Sequence, residues 1–106
     1  MKRQNKEYIY GINETFTIST EGSHRFSILF LKGVSYYIIN NTDASLYISV
    51  YKSDGTKISL GTMPANQKRL WLCDDDNYIQ IGGYFDGVGT FNIESAYKHF
   101  GIIITP

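Results

Sequence analysis

The amino-acid sequence predicts an all-β domain, an antiparallel β-sandwich of about eight short strands. Apolar and polar residues alternate along most of the chain, which is the period of a strand with one buried face. Clusters of Gly, Asn, Asp and Ser separate the alternating runs. Aromatic residues, which favour strands, make up 15% of the chain, and long stretches of strong helix formers are missing.

The predicted strands follow one another at short, regular spacing, and each contains a few alternating apolar residues. In order, they are built around Phe16 and Ile18; Phe26, Ile28 and Phe30; residues 34–39; Leu46, Ile48 and Val50; Ile58 and Leu60; Leu70 and Leu72; Ile79 and Ile81; and Phe91 and Ile93. Asp54-Gly55 predicts a hairpin turn between residues 46–52 and 57–60, because glycine tolerates the positive φ that tight turns need.

The pattern also predicts the position of some strands and the composition of the core. Segments 25–31 and 34–39 are apolar on both faces, so we expect central strands, whereas 57–61 has the composition of an edge strand. The predicted buried residues are Phe26, Ile28, Phe30, Leu46, Ile48, Val50, Leu72, Ile79, Ile81, Phe91 and Ile93.

The length of 106 residues allows one domain with one core, which we expect to span residues 1–106. Residues 1–7 are expected to form a flexible polar N-terminus without the apolar run of a signal peptide, and 100–106 an apolar tail or last strand. We expect a cytoplasmic protein if the chain is complete and an extracellular one if it belongs to a secreted parent. Ten basic and ten acidic side chains cancel, which argues against nucleic-acid and membrane partners.

The residues that most often perform catalysis do not form a recognisable motif in this sequence. His24 and His99 lack the spacing of metal ligands, and Ser23 lacks the flanking glycines of a nucleophile elbow. The lone Cys73 excludes an internal disulfide and has no identifiable base beside it. We therefore expect a protein that is not an enzyme and that needs no cofactor.

An acidic segment is the only clustered charge in the chain. Asp74, Asp75 and Asp76, together with Asp86 one strand later, could supply oxygen ligands to calcium. Carboxylates between two strands are also the usual composition of a solvated turn, and we expect weak calcium binding or none.

Three aromatic residues are the other candidates for function. If Leu46, Ile48 and Val50 face the core, alternation places Tyr47 and Tyr51 on the opposite face of their strand. By the same rule, Trp71 lies on the face opposite to Leu70 and Leu72. The list of predicted ligand-binding residues is therefore Tyr47, Tyr51 and Trp71. Such rings on neighbouring strands would form a platform for carbohydrate or extended polypeptide. The alternative is that both faces of these strands are covered and the rings only pack.

Three motifs occur in a fixed order between residues 22 and 95. They are His24-Arg25-Phe26-Ser27-Ile28 followed by Lys32-Gly33-Val34-Ser35-Tyr36-Tyr37; Ala44-Ser45-Leu46-Tyr47-Ile48-Ser49-Val50-Tyr51 followed by Ser53-Asp54-Gly55; and Asn77-Tyr78-Ile79-Gln80-Ile81 followed by Gly89-Thr90-Phe91-Asn92-Ile93. In this order they resemble bacterial pre-peptidase C-terminal domains, the family that includes the collagen-binding modules of clostridial collagenases. The resemblance implies a jelly-roll-like β-sandwich without catalytic activity, appended to secreted hydrolases, with Tyr47 and Tyr51 on a ligand-facing strand.

Two functions remain open from the sequence. The first is a non-catalytic module that binds carbohydrate or extended polypeptide through its aromatic residues. The alternative is a structural or assembly subunit that forms homo-oligomers through a sheet edge or through the apolar segment at 100–106.

Overall fold

The computed structural model describes residues 12–75 and 77–96. These residues contain eight β-strands and no helix. The strands are β1 Asn13–Ile18, β2 Gly22–Ser27, β3 Ser35–Thr42, β4 Leu46–Lys52, β5 Lys57–Met63, β6 Lys68–Leu72, β7 Tyr78–Phe85 and β8 Gly89–Ser95. The expectations for residues 1–7, Asp76, His99 and 100–106 lie outside the described residues. Within the described ranges no helix is present that could cross a membrane. The predicted all-β fold with eight strands is confirmed.

The strands form two four-stranded antiparallel sheets, in the orders β1-β8-β3-β6 and β2-β7-β4-β5. Among the described strands, only β4 and β5 are both consecutive in sequence and paired. All other connections pass from one sheet to the other. This interleaved order is that of a jelly roll, which contains two Greek keys. We call the sheets the β3 sheet and the β4 sheet after one central strand of each.

The core lies between the two sheets and contains most of the predicted buried residues. Those confirmed as buried are Ile28, Phe30, Leu46, Ile48, Val50, Ile81, Phe91 and Ile93, while Phe26 is half-buried and packs against them. The prediction was wrong for Leu72 and Ile79, which are 58% and 38% exposed. Trp71 occupies the inner face of β6, so Leu72 points outward. At Ile79 the β4–β7 register shifts by one residue, and Tyr78 is buried in its place.

The predicted hairpin is present between β4 and β5. Gly55 has a φ of 93°, its amide donates to the carbonyl oxygen of Lys52 at 3.0 Å, and the amide of Thr56 donates to Asp54 Oδ1 at 2.9 Å. The predicted edge position of 57–61 and central position of 34–39 are confirmed, because β5 ends one sheet and β3 lies inside the other. Segment 25–31 was wrongly predicted as central, because β2 is an edge strand.

Candidate functional site

The predicted platform of Tyr47, Tyr51 and Trp71 does not assemble. Both tyrosines belong to β4, whereas Trp71 belongs to β6 in the other sheet. Its ring lies 4.9 Å from that of Phe30 and 5.6 Å from that of Tyr78, centroid to centroid, so it packs into the core. Alternation showed that Trp71 and its leucine neighbours face opposite ways, but it did not show which of the two faces points inward.

The predicted calcium ligands also do not converge. Asp74 and Asp75 precede β7 and Asp86 follows it, and a strand of eight residues is about 26 Å long. Lys52 Nζ contacts Asp75 Oδ2 at 2.9 Å, and this hydrogen bond, together with one from the amide of Asn77, holds the pKa of Asp75 below its usual value. Residues 12–75 and 77–96 contain no group of three or more acidic, His or Cys side chains that could hold a metal.

A groove of about 550 Å³ lies instead on the outer face of the β4 sheet. At one end, Tyr47 is directly opposite Tyr84 of β7 on one side and Thr62 of β5 on the other. Both tyrosines are 49% exposed, and they are cross-strand neighbours. We call these two residues the outer tyrosine pair. Their rings stand on the solvent side of two central strands, where they are available to a ligand.

The middle of the groove is lined by small residues. Ser49 lies opposite Ser59 on β5 and opposite Gly82 on β7. A Cβ atom at Gly82 would overlap the carbonyl oxygen of His24, and one at Gly83 would overlap that of Tyr47. Gly83 also has a φ of 148°, which disfavours other residues. These glycines allow β7 to approach β2 and β4 closely, and neither adds a side chain to the groove.

The other end of the groove is cationic. Tyr51 lies opposite Gln80 and Lys57, and the guanidinium of Arg25 sits 4.0 Å from the centroid of its ring. Arg25 Nη1 donates to Gln80 Oε1 at 3.3 Å. As a result Tyr51 is only 8% exposed, and the expectation that its ring would be open to a ligand was wrong. Within the described residues, Arg25 and Lys57 line the groove and no carboxylate does.

Sequence reasoning missed Tyr84 and Arg25. Alternation from the buried Ile81 does place Tyr84 on the outer face. Its position beside Tyr47, however, depends on the pairing of β7 with β4, and two other strands lie between these two in the sequence. Arg25 likewise reaches Tyr51 across β7. Neither neighbour relation is readable without the strand order.

The remaining candidates have structural contacts. The ring nitrogen Nε2 of His24 lies 2.7 Å from the carbonyl oxygen of Thr20, and the ring packs edge-on against Phe85. Cys73 is buried in the core, and its thiol donates to the carbonyl oxygen of Asp75 at 3.0 Å. These contacts hold the two side chains within the fold, and His24 also contributes to the groove lining.

Comparison with known proteins adds a fold neighbour and no family. No protein-family model matches the chain, and no curated protein matches it. Among solved structures, the crystal structure of the Yersinia pseudotuberculosis-derived mitogen is similar, with a TM-score of 0.43 and 12% sequence identity over 91% of this chain and 95% of that chain. A likeness at this level shows nothing about the function of this chain.

Proposed function

We propose that this domain is a non-catalytic module that binds an extended carbohydrate chain in the groove of the β4 sheet. The observation that carries the proposal is the outer tyrosine pair, two half-exposed rings side by side at one end of a groove with a floor of small residues. The rings are fixed on central strands, so little conformational entropy is lost when a ligand binds.

The chemistry of the groove suits a sugar chain. A tyrosine ring offers a flat apolar face to the C–H face of a sugar and a hydroxyl group at its edge. The hydroxyl groups of the exposed Ser59 and Thr62 lie along the groove and can donate to or accept from sugar hydroxyls. This combination of stacking faces and short polar side chains is what an oligosaccharide needs from a shallow surface.

An extended polypeptide is less well matched to the same groove. A peptide that binds to a sheet usually pairs its backbone with an unpaired strand edge. The groove crosses all four strands of the sheet, and the outer tyrosine pair stands on β4 and β7, whose backbone groups are paired with strands on both sides. A peptide lying against the outer tyrosine pair would leave its own amide groups without backbone partners, whereas a sugar needs none.

Binding without catalysis fits the groove lining better than hydrolysis does. Glycoside hydrolysis generally uses a pair of carboxyl groups on either side of the scissile bond. The described lining contains tyrosine, serine, threonine and cationic side chains and one histidine, His24, and it contains no carboxylate. The resemblance to pre-peptidase C-terminal domains points the same way, because it implies an appended module without activity and assigns Tyr47 to a ligand-facing strand.

The proposal is tested by measuring binding to a panel of soluble polysaccharides and to a collagen-like peptide. We expect at least one polysaccharide to bind, and Tyr47→Ala and Tyr84→Ala each to weaken binding by about thirtyfold, the effect of a hot-spot ring. Tyr37→Ala is the matched control, because Tyr37 lies opposite the exposed Leu70 on the outer face of the β3 sheet.

Thermal unfolding of each variant shows whether a loss of binding reflects a loss of folding. Failure to bind any polysaccharide would contradict the proposal, and so would an equal loss in Tyr37→Ala. Binding of the collagen-like peptide alone, with the same dependence on the outer tyrosine pair, would assign the groove to polypeptide.

A further inference from the structure

We infer that the groove selects acidic carbohydrate, a chain whose sugars bear carboxylate groups. This inference rests on the proposed function, because it names the ligand class of the same groove. Its basis is the pairing of an uncharged aromatic end, at Tyr47 and Tyr84, with a cationic end, at Arg25 and Lys57.

The charge of the groove differs from that of the chain. Ten Lys and Arg balance ten Asp and Glu over the whole sequence. Among residues 12–75 and 77–96, Lys52 forms an ion pair with Asp75, while Arg25 and Lys57 form none. With no described carboxylate in the lining, the groove has a local positive potential that attracts an anion.

Arg25 is oriented for a carboxylate. Its guanidinium lies over the ring of Tyr51, and its hydrogen bond to Gln80 fixes it further. A guanidinium carries more N–H donors than this one bond uses, in a planar fork that matches the two oxygens of a carboxylate. Stacking on a ring leaves the edges of that fork open, and the group is less strongly hydrated than an ammonium.

Other cations of the described chain are used differently. Arg69 donates to the carbonyl oxygens of Leu60 and Thr62 and so joins β6 to the end of β5. Lys68 Nζ lies 4.1 Å from the ring centroid of Tyr37, on the outer face of the β3 sheet. Like Arg25, Lys68 is an exposed cation that contacts a tyrosine ring, but it lies on the outer face of the β3 sheet, where we expect no carbohydrate to bind.

The spacing of the two ends sets the minimum size of the ligand. Tyr47 and Tyr51 are separated by about 13 Å along β4, which is longer than one sugar ring. A single acidic sugar therefore cannot reach both ends. The groove fits an oligosaccharide that stacks a sugar face on the outer tyrosine pair and places an acid group between Arg25 and Lys57.

The test uses polysaccharide pairs that differ only in charge. Suitable probes are homogalacturonan with free or methyl-esterified carboxyl groups, and pullulan before and after oxidation of its C6 hydroxyls to carboxylates. We expect the carboxylate form of at least one pair to bind at least tenfold more tightly, with a difference that shrinks as salt is added. Arg25→Gln and Lys57→Gln should each reduce this difference severalfold, and Lys68→Gln, which removes the same charge from the other face, should leave it unchanged.

The outcomes separate this inference from the proposed function. Equal affinity for both forms of every pair would overturn the inference and leave the carbohydrate function standing. A loss of preference in Lys68→Gln as large as that in Arg25→Gln would also overturn it, because general charge would then explain the result. If the unmodified protein binds none of these probes and no polysaccharide of the wider panel, both the inference and the proposed function are overturned.

Discussion

The aromatic residues of this domain form two regions with opposite surroundings. Phe30, Tyr36, Trp71 and Tyr78, which we call the inner aromatic cluster, contact one another between the sheets. Tyr36 is 1% exposed, and burial raises its pKa. The outer tyrosine pair stands on the far side of the β4 sheet with half of each residue exposed. Aromatic residues are thus packed between the sheets in one region and exposed to solvent in the other.

The difference shows that an aromatic ring on a strand is covered or open to a ligand according to its face and its neighbours on the adjacent strands. Tyr51 illustrates the point, because it lies on the outer face and is nevertheless covered by Arg25. Truncating a ring of the inner aromatic cluster should lower the free energy of unfolding. Truncating a ring of the outer tyrosine pair should lower affinity and leave stability nearly unchanged.

Among the variants proposed for these two regions, Trp71→Ala should have the largest effect on stability. Trp71 is half-buried, so we expect a loss of about 3 kcal/mol, at the lower end of the range for large aromatic residues. Urea unfolding measures it. Leu72→Ala is the matched control on the same strand, because Leu72 is 58% exposed, and it should cost less than about 0.5 kcal/mol.

A reversal of these two values would mean that β6 has the opposite face inward, with Leu72 buried as we predicted from the sequence. A change in the oligomeric state of Leu72→Ala, measured by sedimentation, would instead favour the assembly alternative. Unchanged groove binding in the folded fraction of Trp71→Ala would sharpen the distinction between the two regions.

A smaller effect is expected at the ion pair beside the inner aromatic cluster. Lys52 Nζ contacts Asp75 and lies 5.5 Å from the ring centroid of Tyr78. Because the hydrogen bond from Lys52 lowers the pKa of Asp75, this carboxylate contributes stability above the ordinary Asp pKa of about 3.9, and the contribution is lost as pH falls through the lower folded value.

Thermal unfolding of Asp75→Asn against pH tests this linkage. The variant should be less stable than the unmodified protein near neutral pH, and the gap should close in acid as Asp75 becomes protonated. A gap that stays constant down to the lowest pH would contradict the linkage. Groove binding at neutral pH should not change, since the pair lies outside the groove lining.

The sequence predicted the strands better than it predicted their neighbours. The turn at Asp54-Gly55 and the buried face of β4 follow from local chemistry, so they were predictable. The inner face of β6 was not predictable, because leucine and tryptophan are both suitable core residues. A strand of five residues contains too few other side chains to show which of the two faces is buried. At Ile79 a one-residue register shift, which leaves no mark in the alternation, reversed the expected burial.

The candidate site was only partly predictable for a related reason. Tyr47 was identified, but the groove depends on β7 lying beside β4 and on β2 lying beside β7. Those pairings join residues far apart in the chain, such as Arg25 and Gln80, and alternation has no information about them.

Amide chemical-shift mapping can locate carbohydrate on the outer face of the β4 sheet. An oligosaccharide from the tightest-binding polysaccharide is titrated into the labelled protein, and both outer faces are observed in the same spectra. We predict that the shifts concentrate at Tyr47, Ser49 and Tyr84. Shifts concentrated at Leu70 and Leu72 would contradict the account, because they would place the ligand on the β3 sheet.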